Sequence, residues 1–414
     1  MDSLNRALGS LLGLAVGDAV GTTVEGMPPG SFQPITDMVG GGKFSLSAGQ
    51  WTDDTSMALC LTESLIHCKG FNPVDQAQRY WQWYQEGHLS SNGECFDIGM
   101  CTRKALHQFE SSNQTEPYCG GTSERASGNG SLMRLCPVPI FYHKHPTVAI
   151  QLSKESSRVT HGSPAALEAC QYFAGLLVGC FQGATKQQLL SPLYSPVADY
   201  WEKHPLVTEV APVAKGSFIK KQPPDIKGNG YVVNSLEAAL WAFHNSSTFK
   251  DGCLLVVNLG KDADTTAAIY GQIAGAYYGA SGIPEEWAKK CSLNSLITLF
   301  AEELTRLSAE VVCPPVDEHS FPSPHQVDLP EPYKLVKSGY DLLENGNKEI
   351  VRKLNPCPKQ YKNMEDFEQD VSTLVQQFKA LPDSAQHSGI LADFQNRWEQ
   401  SREKLSTKLH RRVV

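Results

Sequence analysis

The 414-residue sequence lacks several features that would assign a protein to a well-defined class. Its twelve cysteines are scattered and never form a C-x-x-C pair, which argues against a zinc ribbon or a thioredoxin-type motif. It has no basic excess, since 36 Lys and Arg face 44 Asp and Glu, and a net charge of −8 disfavours a general nucleic-acid binder. It also lacks an uninterrupted apolar run of the roughly 20 residues that a membrane span needs.

The apolar run at residues 7–17 does not resemble a secretory signal. No strongly basic region precedes it, and it runs directly into Asp18. Scattered cysteines in a chain without such a signal are expected to be reduced and mostly buried thiols. We therefore expect a globular, cytoplasmic protein with neither a membrane nor a nucleic acid as its partner.

Glycine, by contrast, is present in a clear pattern. It recurs every fourth residue in two Leu- and Ala-rich segments, at Gly9, Gly13, Gly17 and Gly21 and again at Gly271, Gly275 and Gly279. This spacing follows one face of a helix, where glycine costs about 1 kcal/mol relative to alanine but lets another backbone approach closely.

Apolar residues at helical spacing predict further helices over 55–67, 74–86, 164–181 and 232–244. Alternation typical of strands is scarce, and the apolar run 254–257 is too short to decide. The sequence therefore predicts an all-α fold, built as one compact multi-helix domain.

A boundary is predicted near residue 313, because no helix tolerates the six prolines that follow. They are Pro314, Pro315, Pro322, Pro324, Pro330 and Pro332. We interpret 1–312 as the main domain and 313–332 as a Pro-rich linker. Residues 333–414 are predicted to be a C-terminal extension with helices over 333–346, 364–380 and 384–410, of unassigned role, that could meet a protein partner.

Two acidic clusters come directly before predicted helices. They are Thr52, Asp53 and Asp54, and Asp262, Asp264 and Thr265. Either cluster alone is explained by helix capping, which favours Asp and Thr. Four aspartates brought together would repel each other unless cations neutralised them, and carboxylates and hydroxyls are ligands that Mg²⁺ or Mn²⁺ prefers. The sharper hypothesis is a site for two divalent metal ions, which Glu25 could also face.

Two weaker signals concern ligand binding. The loop Ser127-Gly128-Asn129-Gly130-Ser131 resembles one that offers backbone N–H groups to phosphate oxygens, although a plain turn explains it equally well. His161 could touch a substrate hydroxyl or lie in the core.

Seven ordered segments resemble the ADP-ribosylglycohydrolases, which include the dinitrogenase-reductase-activating glycohydrolase and its animal relatives. They are VGDAVGTTVEG (16–26), GQWTDDTSMAL (49–59), FDIGMCTRKAL (96–106), SGNGSLMR (127–134), VTHGSPAA (159–166), GYVVNSLEAALWAF (230–243) and NLGKDADTTAAIYGQIAGAYYG (258–279). The resemblance covers about residues 5–300, and it implies an all-α domain around a binuclear metal centre.

The resemblance also implies roles for individual residues. Metal ligands would be Thr52, Asp53, Asp54, Asp262, Asp264 and Thr265, with Asp264 bridging the two ions. Glu25 and Asp97 would be the catalytic carboxylates, and which of them is the base stays open. The loop 127–131 would contact the diphosphate, and His161 and Tyr231 the ribose or adenosine part.

The reaction implied is metal-dependent hydrolysis of the bond between ADP-ribose and a modified protein side chain, which releases ADP-ribose. Arginine is favoured as the acceptor, while a serine-linked or small-molecule conjugate stays open. A third alternative is an inactive ADP-ribose-binding or structural relative, although the retained aspartates argue against it. A terpenoid synthase is disfavoured because Met57 stands where its D-D-x-x-D motif needs an aspartate.

Overall fold

The computed structural model describes residues 2–311 and 364–379, together with seven separate positions between 380 and 400, namely 389, 391, 392, 395, 396, 398 and 399. These residues form helices and three isolated β-bridges, with no β-strand among them, so the predicted all-α class is confirmed. The helices are α1 (Ser3–Gly21), α2 (Asp53–Cys68), α3 (Pro73–Glu86), α4 (Met100–Ser111), α5 (Pro137–Tyr142), α6 (Pro146–Arg158), α7 (Pro164–Phe181), α8 (Lys186–Leu189), α9 (Tyr200–Lys203), α10 (Ala211–Ala214), α11 (Val232–His244), α12 (Phe249–Val257), α13 (Ala263–Tyr278), α14 (Glu285–Lys290), α15 (Asn294–Ser308) and α16 (Met364–Lys379).

The predicted helices are present, and they differ mainly at their starts. Helices α7 and α11 have the predicted bounds, whereas α2 begins at Asp53 and α13 at Ala263, so that three of the predicted metal-ligand aspartates, Asp53, Asp54 and Asp264, lie inside first helical turns. The undecided run 254–257 belongs to α12, whose N-cap Thr248 accepts a hydrogen bond from the Asp251 amide. The N-cap at Thr248 lies six residues before this apolar run, and it marks the run as the end of a helix rather than as a strand.

Helices α1 and α13 cross with their backbones in contact. A Cβ atom added at Gly13 would lie 2.4 Å from the carbonyl oxygen of Gly271, and one at Gly17 would lie 2.2 Å from that of Ala267. Gly9, Gly21, Gly271 and Gly275 meet the opposite backbone in the same way. The fourfold glycine spacing thus serves the close approach that the sequence predicts.

Two helices are long and apolar enough to cross a membrane by length and composition alone, contrary to the sequence-based expectation. They are the segment Ser3–Val24, which contains α1, and α7 at Pro164–Phe181. In this fold, 89% and 72% of their most apolar 18-residue stretches, respectively, are buried inside the protein. Both are central helices of the core, which explains why they are apolar on nearly every side.

Part of the predicted extension packs against the main core. Trp398 and Leu391 are buried among core residues, and Val371 and Val375 of α16 pack against the same cluster. The predicted helix at 364–380 matches α16, while 333–346 and most of 384–410 lie outside the described residues. The predicted domain and linker bounds stay predictions.

We expect Gly17→Ala to destabilise the protein and to weaken metal binding. The added methyl meets the α13 backbone rather than a mobile side chain, so the helices must separate, at a cost of about 1–3 kcal/mol. Chemical denaturation and metal titration measure the two effects. Gly175→Ala in α7 is the matched control, because its Cβ would make only ordinary contacts of 3.5–3.9 Å with the side chains of Pro196, Ile150 and Trp201. Wild-type stability of Gly17→Ala would contradict the close crossing.

Candidate active site and metal centre

Asp18 is a buried carboxylate in the last turn of the glycine-rich helix α1. It accepts hydrogen bonds from the Thr52 amide and hydroxyl at 2.9 and 3.0 Å, and from the Thr55 amide and hydroxyl at 3.1 and 2.7 Å. These four bonds tie α1 to the first turn of α2. Burial raises the pKa of Asp18 to about 6, although the hydrogen bonds oppose the increase. Sequence analysis missed this residue as a site member, and the signal was a single acid within an apolar helix.

Asp18 belongs to the first of two groups of converging carboxylates. The oxygens of Asp18, Asp54 and Asp264 lie within 4.8 Å of one another, and so do those of Glu25, Asp262 and Asp264. Asp264 is common to both groups, which is the position that a bridging ligand occupies. Helices α1, α2 and α13 and the turns beside them thus bring together two adjacent groups of carboxylates that could hold a metal ion.

Helix capping does not explain the two acidic clusters. Thr52 is the N-cap residue of α2, yet its side chain makes no cap hydrogen bond and lies instead 2.9 Å from Asp54 Oδ2 and 3.0 Å from Asp18 Oδ1. Asp262 is the N-cap residue of α13, and its carboxylate accepts from the Asn129 side chain at 2.6 Å. Neither side chain caps its own helix, and both contact residues from distant segments, Asp18 and Asn129.

The carboxylates of this cluster lack enough positive charge and hydrogen-bond donors around them to stabilise their ionised forms. Burial, then repulsion among neighbouring aspartates, raises the pKa of Asp54 well above its usual value. Burial, then Glu25 and other aspartates, does the same for Asp264, and burial with Glu25 raises the pKa of Asp262 to about 6. Asp54 Oδ1 and Asp264 Oδ2 are buried without a hydrogen-bond partner. Oxygen ligands with no proton donor suit hard divalent cations such as Mg²⁺ or Mn²⁺.

Glu25 and Asp97 lie at the outer edge of this cluster. Lys43 Nζ is 3.1 Å from Asp97 Oδ1 and 3.4 Å from Glu25 Oε1, while the other Glu25 oxygen accepts from the Ala263 amide at 2.9 Å. Burial raises the pKa of Asp97, and the charge of Lys43 partly offsets this. Asp97 has a left-handed backbone with φ of 58°, which a non-glycine residue adopts at some energetic cost. Lys43 was not foreseen as part of the site.

A cavity of about 510 Å³ opens over the carboxylates. Glu25, Asp53, Asp97, Asp262 and Thr265 line its acidic side. Asp53 and Thr265 are therefore present at the site but belong to neither converging carboxylate group. Burial raises the pKa of Asp53 well above its usual value, with Asp97 as the next cause.

The opposite side of the cavity is formed by the glycine loop and His161. Gly128, Asn129, Gly130 and His161 face the cavity, whereas Ser127, Ser131 and Tyr231 do not line it. The Ser127 hydroxyl donates to that of Ser163, and the Ser131 hydroxyl accepts from that of Ser157, both behind the loop. Tyr231 instead forms a backbone bridge to Gly128.

A family model described as ADP-ribosylglycohydrolase matches residues 1–312. The chain belongs to the ADP-ribosylglycohydrolase family. Two relatives are named ADP-ribosylarginine hydrolase Tri1. The one from Serratia proteamaculans is 40% identical over 309 residues, which cover 75% of this chain and 81% of the relative. The one from Pseudomonas putida is 42% identical over 302 residues, which cover 73% and 78%.

A solved structure described as an ADP-ribosylglycohydrolase-related protein complex is also similar. It superposes with a TM-score of 0.65 and 41% sequence identity, and the match covers 74% of this chain and 99% of that one. Every candidate site residue of this ADP-ribosylglycohydrolase lies within the 1–312 match. The extension beyond residue 312 lies outside it.

We expect a divalent metal to stabilise the protein more at about pH 7.5 than at about pH 5. The folded-state pKa values of Asp18 and Asp262 are raised to about 6 from an ordinary value near 4. The metal-free folded chain therefore holds protons that the unfolded chain has lost, and its stability falls as pH rises through that window. A cation relieves the same repulsion and must displace those protons at lower pH.

Melting temperatures with saturating Mg²⁺ or a chelator, at both pH values, test this expectation. A shift of several degrees at the higher pH and a smaller one at the lower pH is expected. Asp54→Asn should reduce the shift at pH 7.5, whereas the exposed Asp251→Asn serves as a control. An equal or larger shift at pH 5 would contradict the proposed ligand set.

Proposed function

We propose that this protein hydrolyses the glycosidic bond between ADP-ribose and a modified arginine side chain of a protein, and releases ADP-ribose. The observation that carries the proposal is the shared acid, Asp264, between a buried carboxylate group and a partly buried one beneath a cavity edged by Glu25 and Asp97. The names of the two similar Tri1 hydrolases support arginine as the acceptor.

The residues present fit a centre for two divalent ions, Mg²⁺ or Mn²⁺. Asp18, Asp54 and Asp264 would hold one ion, and Asp264 with Asp262 the other, with Thr52, Asp53 and Thr265 beside them. Bound ions supply Lewis-acid stabilisation and orient hydroxyl groups of the substrate. Asp18 joins the ligand set here because its carboxylate faces Asp54 and Asp264, whereas Asp53 faces the cavity.

The chain's own residues then provide proton transfer and orientation. Cleavage at the ribose passes through an oxocarbenium-like transition state, and a carboxylate next to the bond can take the proton of the attacking water. Glu25 is held by the Ala263 amide, and Asp97 by Lys43, so each has a fixed position at the cavity edge. Their negative charge also favours a guanidinium as the acceptor group.

Two further observations concern the cellular location of the reaction and its protein partners. Ten described cysteines are free thiols, which supports the proposed cytoplasmic location. The extension lies outside the family match, and we propose that its unburied surface contacts a protein partner or the modified substrate protein.

A panel of matched substrates tests the proposed activity. Arginine-, serine- and glutamate-linked ADP-ribosyl peptides are each offered with Mg²⁺, Mn²⁺ or chelator, and free ADP-ribose is measured. Release from the arginine-linked peptide, lost with chelator, is expected. Preference for the serine-linked peptide would reassign the acceptor, and binding of ADP-ribose without release from any peptide would show an inactive binding relative.

Two substitutions are expected to separate metal binding from proton transfer. Asp264→Asn should lower turnover by about 100-fold or more, because removing the shared carboxylate weakens both sites. Glu25→Gln should lower turnover while the metal ions stay bound, because it changes the candidate base and leaves the proposed metal ligands in place. Metal content by elemental analysis and kcat on the arginine-linked peptide measure the difference, with exposed Asp251→Asn as the control. Full activity of Glu25→Gln would leave Asp97 as the base, and normal metal content of Asp264→Asn would contradict its bridging role.

A further inference from the structure

Arg134 is a fully buried cation behind the glycine loop. Its Nη1 donates to the carbonyl oxygen of Gly130 at 2.8 Å, and its Nη2 donates to the Thr160 hydroxyl oxygen at 2.7 Å. The guanidinium also stacks 4.5 Å above the ring of Tyr80. Because arginine has five N–H donors and no acceptor, the direction of both hydrogen bonds is fixed.

The hydrogen bond that Arg134 donates to Thr160 constrains the bond between Thr160 and His161. The Thr160 oxygen accepts from Arg134, and it lies 2.8 Å from Nδ1 of His161. Within the described part of the chain, Nδ1 is the one hydrogen-bond acceptor within reach of the Thr160 proton, so the arrangement that leaves no buried hydroxyl proton unpaired is the one in which Thr160 donates to Nδ1. Nδ1 is then an acceptor without hydrogen, and a neutral imidazole carries its proton on Nε2.

The neutral state of His161 follows from its surroundings. The side chain is 2% exposed, and burial, then the charge of Arg134, lowers its pKa to about 3. The ring therefore stays uncharged at physiological pH, with one tautomer selected by Thr160.

The protonated edge of the ring faces the cavity. His161 lines the cavity, and Nε2 makes no hydrogen bond with the described residues. A Cβ atom added at Gly128 would lie 3.2 Å from Nε2, and one at Gly130 would lie 3.1 Å from it. Glycine at both positions keeps this ring edge uncovered, so the Nε2–H group is left to a ligand.

We infer that Arg134 and Thr160 are positioning residues that fix His161 as a neutral Nε2–H donor to an oxygen atom of bound ADP-ribose. The inference rests on the proposed function for the identity of the ligand, while the tautomer itself follows from the three side chains alone. Arg134 and Thr160 touch no substrate, and they act through the imidazole. The family resemblance implied contact at His161 but no role for either of them.

Thr160→Val and Thr160→Ser form a matched pair, because valine keeps the volume of threonine and serine keeps the hydroxyl. Nitrogen-15 NMR of full-length, histidine-labelled protein reports the tautomer, with the His161 signals assigned by their absence in His161→Gln. Titration calorimetry with ADP-ribose and Mg²⁺ reports binding. Wild type and Thr160→Ser should show the Nε2–H tautomer and no imidazolium between about pH 6 and 8.

In Thr160→Val the ring should lose its single tautomer. The Kd for ADP-ribose and the KM for the arginine-linked peptide should rise by about tenfold, while kcat changes less. Three results would overturn the inference: an Nδ1–H or charged ring in wild type, an unchanged tautomer and Kd in Thr160→Val, or weaker binding with the tautomer unchanged. The wild-type spectrum decides even if the valine variant does not fold.

The two proposals fail in different ways. If wild type shows the Nε2–H tautomer but does not bind ADP-ribose, the proposed function is wrong and the Arg134–Thr160–His161 arrangement stands. If wild type binds and hydrolyses the substrate but His161 has another tautomer, the arrangement is wrong and the function stands.

Discussion

The close contact between the backbones of α1 and α13 is the constraint on which the rest of the site depends. Without a side chain at Gly13, Gly17 or Gly271, the two helices approach more closely than ordinary side-chain packing permits. Asp18 follows one of these glycines, and Asp264 lies in the first turn of the opposite helix. Two carboxylates that the sequence separates widely therefore share one small buried volume.

This placement has an electrostatic cost that the protein retains for function. Burial raises the pKa of every aspartate in the two converging groups, and two of their oxygens have no hydrogen-bond partner. A fold selected for stability alone would replace such groups with apolar residues or give them partners. The carboxylates thus repel one another at the point where a cation is proposed to bind. The apolar side chains buried by the surrounding helices offset the resulting loss of stability.

Much of the fold follows from local pattern, whereas parts of the site do not. The glycine spacing and the apolar face of 232–244 depend on residues within a few turns, so sequence analysis found both helices. Asp18 is different, because its function comes from Thr52 and Thr55, 34 and 37 residues away across the fold. Lys43 likewise becomes part of the site only through the loop that brings it to Asp97. Ser131 and Tyr231 show a different limit of local pattern, since both belong to the quoted segments yet neither lines the cavity in this structure.

The contact between α1 and α13 also constrains when the acidic centre can fold during synthesis. Its two partners are about 250 residues apart in the chain, so the acidic centre has a very high contact order. Helix α1 leaves the ribosome before α13, and its glycine-lined face has no partner until α13 follows. Until then, this apolar helix must be shielded by other segments or by a chaperone. Binding of a cation to the full ligand set can begin only near the end of the family-matched region.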